Sequence, residues 1–268
     1  MLSLGIHSDA PGMDPARIQS SLSYSAVSTH DAEQRRAVTV LLRSPSGEQL
    51  GSGVLVAKTE EGLWVATNKH VVADQRYICV LQTDKVPVPA LVVELSYTDQ
   101  SPRLDLALLW MKAGQTSFDA VAEIGREFSS DESHPLVVAT GYPIRLFDPS
   151  GHPIYAERSG LLLSLLQEPL QDGLDLSYTS TVEKGMSGGG VFIRQQLIGI
   201  NSTHPQPLWP GSLKDLSGEA VDQSLNQKLD LLALGISIQW ITQAIENRKQ
   251  PSLVEWSSMH TVRCDINP

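Results

Sequence analysis

The sequence predicts an all-β fold, either an antiparallel barrel or a sandwich. Short apolar runs recur along the chain, several of them rich in β-branched residues, and loops rich in Gly, Pro, Asp and Ser separate them. Segments with helical spacing of apolar residues are few. The chain has 268 residues, of which 41% are hydrophobic and 19% charged, and this composition supports a packed core.

The predicted elements follow one another from about residue 37. Residues 1–36 show no sustained period and are expected to form an N-terminal arm, with a helical turn near 31–36. Strands are expected at 37–42, 53–57, 63–67, 76–82, 90–97, 104–111, 136–141, 160–166, 174–182, 190–194, 197–202 and 231–238.

Two helices and one long loop complete the prediction. A short helix is expected at Phe118–Gly125, and an amphipathic helix at Trp240–Asn247, where apolar residues recur on one face. Residues 203–230 are expected to form a long polar loop, which in a compact domain is usually functional or disordered. Residues 250–268 are expected to form a C-terminal tail.

Charge and apolar length limit the classes of partner. The net charge of -10 makes nucleic acid an unfavourable partner, because an acidic surface repels phosphates. The sequence lacks an apolar stretch of membrane-helix length, and its N-terminal residues do not have the pattern of a signal peptide. We therefore expect a cytoplasmic protein that binds neither nucleic acid nor a membrane.

The chain contains two cysteines, Cys79 and Cys264. Cys79 lies in an apolar run, where a buried free thiol is the ordinary interpretation. Cys264 lies in the polar tail. A disulfide between them is the less favoured alternative, because sequence alone does not show that two such distant residues meet.

Three short segments carry residues suited to acyl transfer, in the order His, Asp, Ser. His70 follows a predicted strand, Asp105 opens another, and Ser187 lies in a glycine-rich turn between two strands. A serine hydroxyl needs a base to remove its proton, and a carboxylate fixes the tautomer of a histidine base. The oxyanion needs backbone N–H donors, which Gly185 and Ser187 would supply. Each segment alone is weak evidence for a catalytic site. The order of the three segments and their separations along the chain strengthen the prediction.

These segments resemble those of chymotrypsin-like (trypsin-like) serine proteases. Thr67-Asn68-Lys69-His70-Val71, Asp105-Leu106-Ala107-Leu108 and Gly185-Met186-Ser187-Gly188-Gly189-Gly190 are similar to the motifs around the family's catalytic residues. Bacterial forms without disulfides, such as the HtrA type and the trypsin-like domains common in cyanobacteria, are the most similar. The resemblance implies two six-stranded antiparallel barrels and a C-terminal helix within a domain of residues 37–249, with the barrels dividing near 115–130.

The chain departs from the family pattern at several points. Lys69 stands where the family usually has alanine, Gly190 replaces the usual proline, and an Ile-Val-Gly-Gly start is absent. The resemblance places the substrate pocket at Thr181, Ser202 and Gly235. Because Thr181 is neutral, we expect Lys and Arg to be poor residues before the scissile bond. His204 could favour an acidic residue there, although a surface histidine is the simpler interpretation.

The resemblance implies a serine endopeptidase with a protein or peptide substrate and no cofactor. An alternative from another class is a catalytically silent binding or scaffolding module on the same fold. A third interpretation keeps the enzyme and makes it a regulated intracellular effector. In that case the N-terminal arm, the C-terminal tail and the 203–230 loop would serve as docking sites for a regulatory protein partner.

Overall fold

The computed structural model describes two closed β-barrels joined side by side. The described residues are 28–82, 86–93, 95, 104–114, 118–125, 134–203, 212–248, 251–252, 257, 259 and 261–264. Within these residues, every helix is too short or too polar to span a lipid bilayer.

The first barrel is closed by six antiparallel strands in the order β1-β2-β3-β6-β5-β4. The strands are β1 (Thr39–Arg43), β2 (Gln49–Lys58), β3 (Gly62–Thr67), β4 (Tyr77–Leu81), β5 (Val88–Val93) and β6 (Ala107–Lys112). Fully buried apolar side chains fill the core, including Val40, Leu42, Leu55, Trp64 and Leu108. The predicted runs of β-branched and apolar residues thus form this barrel because each strand buries one row of side chains in a closed interior.

The second barrel also closes through six antiparallel strands. They are β8 (Leu136–Gly141), β9 (Ala156–Leu163), β10 (Leu176–Tyr178), β11 (Gly190–Ile193), β12 (Gln196–Thr203) and β13 (Ala233–Ser237). The ring runs β8-β9-β10-β13-β12-β11 and closes through the pairing of β11 with β8. The two-residue strand β7 (Glu123–Ile124) adds to β12 in parallel. The prediction of two six-stranded barrels is confirmed.

Three helices whose full bounds the structure describes lie outside the barrels. They are α1 (Thr29–Val38), α2 (Gln223–Leu229) and α3 (Ile238–Glu246). The α3 helix confirms the predicted C-terminal helix and buries Ile238 and Ile241.

Two local predictions were wrong. Residues 118–125 contain β7 instead of a helix, because the backbone near Ile124 pairs with the edge of β12. The 203–230 segment is not entirely loop, since it contains α2, whose first turn is capped by the Asp222 side chain. Residues 204–211, which include His204, lie outside the described residues.

The two cysteines form a disulfide, so the expectation of a buried free thiol was wrong. Cys79 lies in β4 with no exposed surface, and Cys264 of the tail reaches it across 185 positions of sequence. The resemblance to disulfide-free bacterial proteases therefore does not extend to this bond. Met259, also in the tail, is buried in a core cluster that includes residues of both barrels. The disulfide attaches the end of the tail to the first barrel.

Candidate active site

The His70 imidazole and the Asp105 carboxylate form a hydrogen-bonded pair. His70 opens a short 3-10 turn just after β3, and its Nδ1 lies 2.7 Å from Asp105 Oδ2. The other oxygen, Asp105 Oδ1, accepts the backbone N–H of His70 at 2.9 Å, and the Asn68 side chain donates to the Asp105 carbonyl at 3.0 Å. With Nδ1 committed to the carboxylate, the neutral ring has Nε2 free to accept a proton. The His70 side chain is 50% exposed and that of Asp105 only 14%, so the ring faces solvent and the carboxylate lies beneath it.

Ser202 joins this pair to the second barrel. Its hydroxyl donates to Asp105 Oδ2 at 2.7 Å, so this carboxylate oxygen is shared between Ser202 and His70. The sequence predicted Ser202 as a wall of the substrate pocket. A hydroxyl on a strand of the other barrel gives no local signal that it will meet Asp105.

Asp172 is a second carboxylate near the His70–Asp105 pair, and the sequence did not indicate it. Its backbone oxygen accepts the N–H of Asp105 at 2.9 Å, and its own φ of 63° is in the left-handed region. Partial burial and then the negative charge of Asp105 raise the pKa of the Asp172 carboxyl, while the positive charges of His70 and Lys69 oppose that rise. The turn that carries Asp172 thus holds the backbone of Asp105 and brings a second carboxyl close enough for its charge to interact with that of Asp105.

Ser187 lies in a tight turn that only glycines permit. Gly188 has a φ of +82°, and a Cβ at this position would lie 2.2 Å from both Ser52 O and Thr67 Oγ1. A Cβ on Gly189 would lie 2.0 Å from Thr140 O. Contacts this short exclude any side chain. Gly188 therefore lets the turn pack against the first barrel, on the side where β3 leads to His70, and Gly189 lets it pack against β8 of the second barrel.

The hydroxyl of Ser187 is held by the backbone in this structure. It donates to the Ser202 carbonyl at 3.4 Å, and among the described residues it does not hydrogen-bond the His70 ring. Catalytic hydrogen bonds are often long or poorly aligned in resting enzymes. The structure thus joins His70 to Asp105 directly and links Ser187 to them through Ser202.

The N–H groups of Gly185 and Ser187 have no acceptor among the described residues. Each of these N–H groups shares a peptide unit with the carbonyl of the preceding residue, and both carbonyls accept hydrogen bonds. Lys184 O accepts the N–H of Ile144 at 2.9 Å, and Met186 O accepts the N–H of Gly189 at 3.0 Å and the Asn201 amide at 3.1 Å. In a trans peptide the N–H points away from the C=O, so both N–H groups are turned out of these interactions. Two free donors beside a serine hydroxyl are what an oxyanion requires.

The predicted pocket residues occupy different surroundings. Thr181 is exposed, Ser202 is engaged with Asp105, and Gly235 is buried in β13. A Cβ on Gly235 would lie 2.5 Å from Ile200 O, so this glycine allows close packing of neighbouring strands. Two acidic residues of the 203–230 segment have hydrogen-bond partners nearby in the chain. Asp215 accepts hydrogen bonds within its own turn, and Asp222 caps α2.

Comparisons with known proteins agree with this geometry. A family model described as a trypsin-like peptidase domain matches residues 51–200, more than half of the chain. No protein of curated function matches the sequence.

Solved structures of similar fold include proteases of the HtrA type. The HtrA-type protease AlgW with a decapeptide matches with a TM-score of 0.55 and 18% identity, over 88% of this chain and 68% of that one. AlgW with a tripeptide matches with a TM-score of 0.57 and 21% identity, over 82% of this chain and 62% of that one. An inactive form of Rv3671c from M. tuberculosis H37Rv, a serine-to-alanine mutant, matches with a TM-score of 0.54 and 20% identity, over 89% and 96% of the two chains. At these identities the structures support the fold, and the match of the family model shows that the chain belongs to the trypsin-like peptidase domain family.

Proposed function

We propose that this protein is a serine endopeptidase that hydrolyses peptide bonds through an acyl-enzyme on Ser187. Membership of the trypsin-like peptidase family supports a serine protease. The finer assignment to an acyl-enzyme on Ser187 rests mainly on the hydrogen bond between His70 Nδ1 and Asp105 Oδ2, at 2.7 Å. Both residues lie on the first barrel, which the turn that carries Ser187 contacts. In that turn the N–H groups of Gly185 and of Ser187 itself have no acceptor among the described residues.

The reaction follows from this arrangement. His70 Nε2 takes the proton of the Ser187 hydroxyl as its oxygen attacks the scissile carbonyl carbon. The negative charge that develops on the carbonyl oxygen is stabilised by the N–H groups of Gly185 and Ser187. His70 then gives its proton to the leaving amine, and a water molecule attacks the acyl-enzyme with the same residue as base. Asp105 stabilises the imidazolium in both halves and accepts no proton.

The experiment is replacement of the nucleophile. Ser187→Ala should lower peptide turnover by about 10⁶-fold, by analogy with removal of the nucleophile from another serine protease. A fluorophosphonate probe should label the wild-type protein and leave this variant unlabelled.

A second serine provides a matched control. Ser217 is exposed, and its hydroxyl donates at 2.6 Å to Asp215 Oδ1, a carboxylate oxygen and not a ring nitrogen. Ser217→Ala should keep both turnover and labelling. Wild-type turnover by purified Ser187→Ala protein would refute the assignment.

One observation favours the alternative of a catalytically silent module. The Ser187 hydroxyl donates to a backbone carbonyl and not to the imidazole. If this state persisted with substrate bound, the serine would not be activated. Absence of labelling and of turnover in the folded wild-type protein would support this alternative.

We further propose that the protease acts under the control of a protein partner. The 203–230 segment and the chain just after it expose large apolar side chains, Leu216 at 48% and Leu231 at 65%, which suit protein contacts. The N-terminal arm and the C-terminal tail remain the other proposed docking segments. Peptide turnover of the purified protein should then be lower than in an extract of its source cells. Equal specific activity in the two preparations would contradict this proposal.

A further inference from the structure

Ser52 is a fully buried serine of the first barrel that contacts the nucleophile turn of the second. It lies in β2, and its hydroxyl and backbone have no exposed surface. No step of the reaction described above uses it. The hydroxyl nevertheless lies within hydrogen-bond distance of the segment that carries the oxyanion donors.

Ser52 holds both ends of the Gly185–Ser187 segment. Its backbone N–H donates to the carbonyl of Ser187 at 2.9 Å. Its hydroxyl donates to the carbonyl of Gly185 at 2.7 Å and accepts the N–H of Tyr142 at 2.9 Å. The hydroxyl thus has one donor and one acceptor partner, which fixes the direction of its proton toward Gly185.

The carbonyl of Gly185 matters because of the conformational freedom of this residue. Gly185 has a φ of +98° and, as a glycine, can rotate about both backbone dihedrals with little steric resistance. Its carbonyl belongs to the 185–186 peptide unit, which lies between the two units that carry the N–H groups of Gly185 and Ser187. The dihedral angles on either side of this unit set the direction of one donor relative to the other. A hydrogen bond on the carbonyl therefore restricts the relative orientation of the two oxyanion donors.

We propose that Ser52 is a positioning residue for the oxyanion site, its hydroxyl fixing the peptide unit between the two donors so that the N–H groups of Gly185 and Ser187 stay directed at one oxyanion. This inference rests on the proposed peptidase function. It makes the first barrel responsible for the shape of the oxyanion site as well as for the base.

The test is Ser52→Ala with a matched control in the second barrel. Ser52→Ala removes the hydroxyl and keeps the backbone N–H that holds the Ser187 carbonyl. Ser177 is equally suited as a reference, because it is 1% exposed and its hydroxyl donates to the Leu163 carbonyl at 2.7 Å, within the pairing of β9 with β10 and not to the turn. Ser177→Ala therefore deletes the same buried group from the same kind of hydrogen bond.

The expected effect falls on turnover and not on substrate affinity. Loss of one oxyanion donor lowers kcat by about 10²–10³-fold, which sets the upper limit, and we expect at least about a tenfold loss for Ser52→Ala. KM should stay within about twofold, because the donors act mainly in the transition state. The affinity for a peptide aldehyde, whose adduct places an oxyanion in the site, should fall in parallel with kcat/KM. Ser177→Ala should leave all three quantities unchanged.

Two outcomes would overturn the inference. The first is a kcat of Ser52→Ala equal to that of Ser177→Ala, and the second is a rise in KM with kcat unchanged. A crystal structure of Ser52→Ala tests the same point independently of activity, since the Gly185 carbonyl should rotate away from residue 52, and an unchanged turn would refute the inference. Failure of the peptidase assignment itself would show differently, as a wild-type protein without turnover.

Discussion

Removing either member of the Arg35–Glu157 ion pair should destabilise the protein by unequal amounts. Arg35 lies in α1, and its guanidinium donates to both carboxylate oxygens of Glu157, at 3.0 and 2.8 Å, and to the Arg194 carbonyl at 2.6 Å. The Arg35 side chain has no exposed surface, whereas that of Glu157 is 23% exposed. The pair attaches α1, part of the expected N-terminal arm, to the second barrel.

The expected loss in the free energy of unfolding depends on which charged group each variant leaves unpaired. Glu157→Leu leaves a buried guanidinium with one carbonyl partner, and breaking a buried pair in this way costs about 3–5 kcal/mol. Arg35→Met leaves a carboxylate that can reach water and keeps the Tyr155 hydroxyl as a donor at 2.7 Å. Its cost should be smaller, about 1–3 kcal/mol. The double variant should be more stable than Glu157→Leu alone, because it buries no unpaired charge.

The measurement is a double-mutant cycle by urea unfolding at neutral pH, with the free energy of unfolding compared at constant m-value. The barrels should unfold cooperatively in all four proteins for the comparison to hold. Two results would refute the reasoning: Arg35→Met costing more than Glu157→Leu, or a double variant whose loss equals the sum of the single losses.

Three further predictions concern the pocket, the site charge and the tail. Peptide-library profiling should show small or apolar residues preferred before the scissile bond, because Thr181 is neutral and a buried unpaired cation is costly; a strong preference for Lys or Arg would contradict this. Asp172→Asn removes a carboxyl whose pKa is raised by partial burial and by the charge of Asp105, and urea unfolding across acid pH compares this variant with the wild type. In the wild type, the raised pKa of Asp172 adds to the free energy of unfolding at pH values below the ordinary pKa of 3.8. This contribution is lost as the pH rises through the raised pKa, and the loss should be absent in Asp172→Asn. Cys264→Ser should lower the free energy of unfolding by about 2–5 kcal/mol, and equal stability with and without reductant would contradict it.

The disulfide also bears on the expected location. Disulfides persist mainly in oxidising compartments and are rare in reducing ones. The Cys79–Cys264 bond therefore weighs against the cytoplasmic location that the sequence suggested, which stays a prediction. Trapping free thiols in intact source cells would decide it: two blocked cysteines support the cytoplasm, and an intact bond supports an oxidising compartment.

The sequence predicted the features that depend on local patterns. Short apolar runs predicted most of the strands, and the resemblance to the protease family implied that they form two barrels. The glycines beside Ser187 predicted the turn, and short contacts at Gly188 leave room for no side chain. The meeting of Cys79 with Cys264 could not be predicted, since it depends on the path of the tail. The burial of Arg35 was also not predicted, because a charged residue in a polar helix is normally exposed. Its burial depends on a partner from the second barrel, Glu157.

The same limit explains why the site could be predicted only in part. Motifs around His70 and Asp105 lie at strand ends, where chemistry-bearing residues are recognisable in sequence. The contacts of Ser202 and Asp172 with Asp105 come from the second barrel and have no sequence pattern of their own. Pairing across barrels is a property of the assembled fold and is not encoded in any single segment.

On the proposed function, these contacts make the relative position of the two barrels a condition for catalysis. The first barrel supplies His70 and Asp105 and also Ser52, which holds the nucleophile turn. The second supplies Ser187 and the hydroxyl of Ser202, which shares the oxygen of Asp105 that bonds the imidazole. Each barrel thus orients the reactive group of the other through buried hydrogen bonds shorter than 3 Å. A small displacement between the barrels would lengthen both contacts at once, so loss of turnover should precede loss of secondary structure as denaturant is added.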